Sequence, residues 1–392
     1  MILFCLNYMD RSAISYAIQS ISTEFHLSNT AFGLLSSMFA VGYILFSSMG
    51  GLVADSLGAR KTLSCAAFAW SVICILMGLT SVFWLLVIWR LLLGVAESPS
   101  FPSLTRFIAD HISTQSRAKT LSITLAVVPF ASALGAPVIT TLLRHYNWQL
   151  TYIFLGSAGM VVAVLWGFCY RIKRTSSSLQ HQPIRWRAFF NLLKNKPIMA
   201  NNIAFFAYGY LLFFSLSWLP AFLLKMYHLD LKSVGWLLSL PWLFATIALI
   251  MGGFLSDYLY NKTKSLRIAR SHLIWVAQLL SVCSLLPIIY YHRLDVTMVC
   301  LCLALSFCLF PNAIAYSLNI DLAPKNAAAS LGLMNTFFAL AGILAPILTG
   351  KLVDLTGNFN SAFYLVIGIT LIAIMSVLCW QTDAKIANNS LA

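Results

Sequence analysis

Apolar residues run along this chain in long blocks separated by short polar connections. A helix needs about 20 mostly apolar residues to cross the hydrocarbon of a bilayer. By that measure twelve spans are predicted, over residues 1–18, 30–54, 62–81, 83–109, 118–143, 150–170, 198–224, 233–255, 271–290, 296–319, 328–352 and 361–381. The first is short for a span that carries Asp10 near its middle. Either it begins upstream of Met1 or it lacks its first turns. The longest polar connection is basic and contains Ser and Gln, and it divides six spans from six. The expected organisation is a six-helix bundle over 1–172, a cytoplasmic linker over 173–197, a second six-helix bundle over 198–381 and a tail over 382–392. Within the linker, residues 185–193 are expected to form a short amphipathic helix on the membrane surface.

The two halves echo each other. Gly51-Leu-Val-Ala-Asp55 ends the second span and Gly253-Phe-Leu-Ser-Asp257 ends the eighth. Phe101-Pro102 recurs as Phe310-Pro311, and Ala136-Pro137 as Ala345-Pro346, at the same separation. The predicted class is therefore an all-α integral membrane protein of twelve transmembrane helices in two pseudo-symmetric six-helix bundles. Such parallel repeats, with a site near the bilayer midplane, are a transporter plan.

Composition sharpens this. The chain has 392 residues, 60% hydrophobic and 9% charged, whereas a soluble domain is about 25% charged. A net charge of +14 would suggest nucleic acid in a soluble protein. Here the basic residues gather in the connections, so no nucleic-acid partner is expected. Arg60, Lys61, Arg117, Lys119, the cluster within 171–196, Lys262 and Arg270 fall on one side of the membrane. The sparser Arg144, Lys225, Lys232, Arg293 and Lys351 fall on the other. That bias puts both termini in the cytoplasm, in a multi-pass protein of the inner membrane. No cleavable signal peptide is visible. The nine cysteines lie in apolar runs without disulfide or zinc spacing. Cys300, Cys302 and Cys308 read as packing residues rather than a metal site, and neither metal nor cofactor is expected. No nucleophile–base pair or phosphate-binding loop lies within the spans, which argues against an enzyme.

Four charges interrupt the apolar runs: Asp10 and Arg11 in span one, Arg90 and Glu97 in span four. A charge at the bilayer centre costs roughly 2.5–3.5 kcal/mol on insertion scales, so it marks a functional site by default. Arg90 and Glu97 share a helix face but stand about 10 Å apart along the axis. Asp10 and Arg11 point about 100° apart. Each must find a partner on another helix, in water or in a substrate. A carboxylate whose proton affinity depends on a neighbouring guanidinium suits proton transfer. An arginine fork suits a carboxylate ligand. The second half holds no charge in the middle of spans seven, eight, ten or eleven. Its candidates are Asn201, Asn202, Tyr208, Ser217, Trp218, Asn312, Tyr316, Asn335 and Thr336, for any of which helix–helix hydrogen bonding is an equal alternative.

Between spans two and three the chain reads Gly51-x-x-x-Asp55-x-x-Gly58-x-Arg60-Lys61. Gly51 allows close helix approach, Gly58 a tight turn, and Asp55 can pair with a helix end or an arginine. This loop resembles the signature of the major facilitator superfamily. Asn7-Tyr8-Met9-Asp10-Arg11, Arg90-Leu-Leu-Leu-Gly-Val-Ala-Glu97-x-Pro99-x-x-Pro102, Trp218-Leu-Pro-Ala-Phe-Leu and Ser239-Leu-Pro-Trp242 look like the anion:cation symporters within it, carriers of hexuronates, galactonate, glucarate and phthalate. The resemblance covers nearly the whole chain. It departs at the short first span and at Phe107-Ile-Ala-Asp-His111, where relatives usually carry a tryptophan. It implies the major facilitator fold and a monomer that imports an organic anion, a sugar acid or other carboxylate, with protons. Asp10 and Glu97 would be the proton-coupling acids. Arg11 and Arg90 would gate them or hold the substrate, with Tyr8, Tyr43 and Asn335 as further contacts. Gly51, Asp55, Gly58, Arg60 and Lys61 would form the gating loop. The rival reading is an exporter or exchanger of drugs, siderophores or phosphate esters. Gly135-Ala-Pro137 in span five favours it weakly, being a partial likeness to the glycine-proline motif of antiporters.

Overall fold

The computed structural model describes residues 2–111, 114–169 and 192–381; most side chains over 48–60 and 105–122 also lie outside that description. Nearly all of the expected linker and its surface helix, and the tail over 382–392, fall outside the described residues. The rest is helical, with no strand among the described residues. The first half contains α1 (Ile2–Tyr16), α2 (Ile18–Glu24), α3 (Asn29–Leu57), α4 (Ala59–Gly78), α5 (Phe83–Glu97), α6 (Ser100–His111), α7 (Thr114–His145) and α8 (Trp148–Cys169). The second contains α9 (Lys196–Tyr227), α10 (Leu231–Thr263), α11 (His272–Tyr290), α12 (Leu294–Leu309), α13 (Asn312–Leu322), α14 (Ala327–Thr356) and α15 (Asn360–Trp380). A π-turn over Arg267–Ser271 leads into α11.

Eleven segments are long and apolar enough to cross a membrane among the described residues. In lipid every backbone N–H and C=O must be satisfied internally, which only helices and closed barrels achieve. Two of these segments are helix pairs. α5 and α6 meet at Ser98-Pro99, and α12 and α13 meet at Phe310-Pro311. A proline lacks the N–H that would continue the ladder and clashes with the preceding turn. Pro311 stands at the second break, whereas its sequence counterpart Pro102 lies inside the first turn of α6. The first span is longer than its apolar pattern suggests. The Ala17 N–H donates to the Ala13 carbonyl at 3.1 Å, and the Ile21 N–H to the Ala17 carbonyl at 2.9 Å. The ladder therefore runs almost unbroken from α1 into α2, and Asp10 sits near the centre of the joined segment.

The chain forms two compact units, one of residues 1–180, 216–239 and 346–355, the other of 181–215, 240–345 and 356–392. In the first, α1 packs on α7, α4 on α8 and α3 on α5. The α3–α5 crossing is tight on both sides. A Cβ at Gly42 would collide with the Leu91 carbonyl, and one at Gly94 with the Phe39 carbonyl. Small residues let spanning helices approach backbone to backbone. Here that approach carries Phe39 and Tyr43 of α3 up to Arg90 and Glu97 of α5. In the second unit α11 packs on α12 and α15.

Candidate functional site

Three helices of the first unit build the charged site. From α1, Arg11 reaches across to α5, where its Nε–H donates to Glu97 Oε2 at 2.7 Å. The Glu97 side chain is wholly buried, while Arg11 keeps 16% of its side chain exposed. The guanidinium is packed against three rings, 4.6 Å from the centroid of Tyr8, 4.5 Å from Phe39 and 5.1 Å from Tyr43. Arg90 approaches the Phe39 ring as well, at 5.4 Å. Phe39 is thus a common contact for both cations. Attraction between a guanidinium and a ring face is worth about 2 kcal/mol or more once both are desolvated.

Around this pair the polar groups are incompletely matched. Asp10 is fully buried beside the Cys74 thiol, and its carboxylate oxygens meet no other hydrogen-bond partner among the described residues. Nε and Nη1 of Arg90 have no hydrogen-bond partner among the described residues, and the Asn7 amide lies beside the Glu97 carboxylate. Buried polar groups are ordinarily satisfied, and each exception calls for a reason. Those named here lie around one site, and others occur elsewhere among the described residues.

Of the residues singled out in the sequence, Arg11, Glu97, Tyr8 and Tyr43 come together directly, and Arg90 joins them through Phe39. Asp10 lies on the same helix, within electrostatic reach of Glu97 and beside the Cys74 thiol. Asn335 belongs to the second unit, is exposed, and its Oδ1 accepts from the Tyr316 hydroxyl at 3.2 Å. Of the gating loop, the side chains of Asp55 and Arg60 fall outside the described residues. Gly58 has a φ of 86°, a left-handed turn that favours glycine, and Lys61 is exposed. Sequence reasoning missed Phe39 and Tyr152, the latter buried beside Arg90, and gave no role to Asn7 or Cys74. Phe39 carried a weak signal: it precedes Tyr43 by four positions and so shares its helix face.

The second-half amides behave differently. Asn201 Nδ2 donates to Asn319 Oδ1 at 3.0 Å and to the Ala315 carbonyl at 2.8 Å, and Asn319 Nδ2 donates to Asn202 Oδ1 at 3.0 Å. All three asparagines are fully buried, tying α9 to α13. Asn312 Nδ2 donates to the Tyr208 hydroxyl at 2.7 Å. Phe338 stacks on Tyr208 with ring centroids 5.7 Å apart. Among the described residues, no group of three or more His, Cys, Asp or Glu side chains is placed to hold a metal.

The first unit thus buries two arginines and two carboxylates among helices apolar enough to span a membrane. The chain belongs to the Major Facilitator Superfamily, which it matches over residues 1–330. It is 31% identical over 391 residues to the hexuronate transporter of Bacillus subtilis (strain 168), covering 95% of this chain and 91% of that protein. It is 28% identical over 381 residues to the probable sulfoacetate transporter SauU of Cupriavidus necator, covering 92% and 87%. To the probable galactarate/D-glucarate transporter GudP of Bacillus subtilis it is 29% identical over 403 residues, covering 95% and 88%. Among solved structures it resembles a bacterial homologue of the human lysosomal transporter Spinster, with TM-score 0.82, 16% identity, and 98% and 96% of the two chains covered. It also resembles the nucleoside transporter NupG, with TM-score 0.75, 13% identity and 97% and 99% covered. At those identities the likeness speaks for the fold alone. The protein is a multi-pass membrane transporter, not an enzyme.

Proposed function

We propose that this transporter imports an organic anion, a sugar acid or another carboxylate, together with protons, by alternating access. The observation that carries the reading is the Arg11–Glu97 pair: a guanidinium held by one carboxylate at 2.7 Å on a side chain that stays partly exposed. The names of the relatives, carriers of hexuronate, sulfoacetate and galactarate or glucarate, support an anionic cargo.

The chemistry runs as a competition. While Glu97 is ionised it occupies Arg11. A proton on Glu97 removes its charge and frees the guanidinium, which then accepts the substrate's carboxylate through parallel N–H···O bonds. Arg90, whose Nε and Nη1 have no partner among the described residues, adds the second positive charge. Asp10 is the second proton site. Tyr8 and Tyr43 contribute hydroxyls at the rim, and Asn335 is the second-half candidate for a substrate hydroxyl. A negative-inside potential opposes anion entry by about 2.3 kcal/mol per charge per 100 mV. One proton per monovalent anion cancels that opposition, and two make the potential a driving force. In this scheme the protein works as a monomer in the inner membrane with both termini cytoplasmic. The bundles 1–172 and 198–381 move against each other, and Gly51, Asp55, Gly58, Arg60 and Lys61 latch the cytoplasmic gate.

The test is uptake of radiolabelled glucuronate into proteoliposomes under an imposed inward pH gradient. Accumulation should follow the gradient and be lost in Glu97→Gln, which should still exchange substrate across the membrane. Accumulation that ignores the gradient removes proton coupling. Counterflow without net uptake by the unmodified protein points instead to an exchanger.

A further inference from the structure

One carboxylate at the membrane face opposite Gly58 has no part in the site above. Asp354, near the end of α14, sits against the first turn of α3. Its Oδ1 accepts from the Asn29 N–H at 3.1 Å and from Asn29 Nδ2 at 2.7 Å. Its Oδ2 accepts from the Thr30 N–H at 2.7 Å and from the Thr30 hydroxyl. The N–H groups of a helix's first turn have no partner within the helix. In α3 the Ser28 hydroxyl oxygen takes the Ala31 N–H and the Ser28 carbonyl takes that of Phe32. The first two N–H groups are satisfied by Asp354. A carboxylate is also the favoured charge at the positive end of the helix dipole. Lys225 of α9 closes the group, its Nζ donating to Asn29 Oδ1 at 3.0 Å.

Beneath this cap the two helices touch backbone to backbone. A Cβ at Gly350 would collide with the Asn29 carbonyl, and one at Gly33 with the Pro346 carbonyl. Pro346, Gly350 and Asp354 form an i, i+4, i+8 stripe on α14, facing Asn29 and Gly33, themselves four apart on α3. At the deep end the Trp218 indole N–H donates to the Pro346 carbonyl at 3.2 Å, and the Phe32 ring meets it edge-on at 5.7 Å. All of these residues belong to the same compact unit, which joins 346–355 and 216–239 to the first half of the chain. The spacing Gly350-x-x-x-Asp354-x-x-Gly357 repeats that of Gly51-x-x-x-Asp55-x-x-Gly58, and both final glycines have positive φ, 71° and 86°.

We infer that Asp354 is the clasp of the gate opposite Gly58: it holds the α3–α14 crossing shut by capping α3, and it must release Asn29 and Thr30 before substrate enters or leaves by that face. A carrier that alternates between two access states has to break this contact once per cycle. Weakening the cap raises the share of molecules open at this face. The inference needs the alternating-access reading but neither proton coupling nor a particular cargo.

Ser36 lies one turn deeper on α3 than Phe32 and is buried, so a cysteine there reports opening without any transport assay. In Ser36→Cys protein reconstituted in nanodiscs, reaction with a polar maleimide, corrected for the parental cysteines, should quicken tenfold or more on adding Asp354→Asn. Asp354→Glu should restore most of the slow reaction. The pair Asn29→Ala with Thr30→Val, which deletes the side-chain donors and leaves the carboxylate, should give an intermediate rate and serves if Asp354→Asn fails to fold. Unchanged or slower labelling in whichever of these variants folds overturns the clasp. That result would leave proton coupling untouched, because the gradient-driven uptake assay reads it separately.

Discussion

The two halves of this protein differ in the kind of polar group they bury near the middle of their helices. Around Arg11 and Glu97 the groups are ionised or ionisable and several lack partners. In the second half Asn201, Asn202 and Asn319 bond one another across α9 and α13. An amide neither gains nor loses a proton near neutral pH, so the asparagine network has one state and fixes packing. A carboxylate beside a guanidinium has two states and can report the arrival of a proton or an anion. The groups able to change protonation or partner lie in the first half, and in the second Tyr316 and Asn335 bond each other.

Breaking the charged pair should show the largest effect. Arg11→Ala or Glu97→Ala leaves a buried charge without its partner, at a cost of about 3–5 kcal/mol. Thermal unfolding in detergent should register the loss, and Arg11→Met combined with Glu97→Leu should recover much of it while remaining inactive. Singles and double of equal stability would mean that the pair is not coupled as the geometry indicates. Next comes the shared ring. Phe39→Leu removes the aromatic face from both guanidinium groups, worth about 2 kcal/mol or more at desolvated sites. The KM for uptake should rise tenfold or more while the folded fraction stays high, and an unchanged KM would leave Phe39 a packing residue only.

The smallest effects sharpen the contrast within the second half. Asn319→Ala strands the buried amides of Asn201 and Asn202, costing about 1–3 kcal/mol of stability with KM unaltered. Asn335→Ala, at an exposed position, should leave stability within about 0.5 kcal/mol and shift KM among sugar acids. Measured side by side, the two asparagines should separate, one by melting temperature and the other by substrate preference. If both change only stability, the second half has no direct role in choosing the cargo.

Much of this was legible in residue order. The spans follow from block length and the four mid-span charges from their cost in lipid, whereas the break at Pro311 interrupts what the sequence pattern reads as one span over 296–319. Trp218 was open to substrate contact or helix–helix hydrogen bonding, and it is fully buried against Phe32 and the Pro346 carbonyl. Asn201 and Asn202 were equally open to either role until α13 supplied Asn319. The Asp354 clasp had a sequence signal in its glycine–aspartate–glycine spacing, but spacing does not say which helix end the acid will meet.

Residue order alone determined that the chain crosses a membrane in many helices and carries two arginines and two acids at a depth where charge is costly, because length, hydropathy and charge are local properties. Only the tertiary structure decided that Arg11 pairs with Glu97, 86 positions away, that Phe39 is the ring both cations share, and that Asp354 caps α3. Those pairings depend on which helices touch and at what height. That is set by backbone contact at small residues such as Gly42, Gly94 and Gly350, whose effect appears only when two distant segments meet.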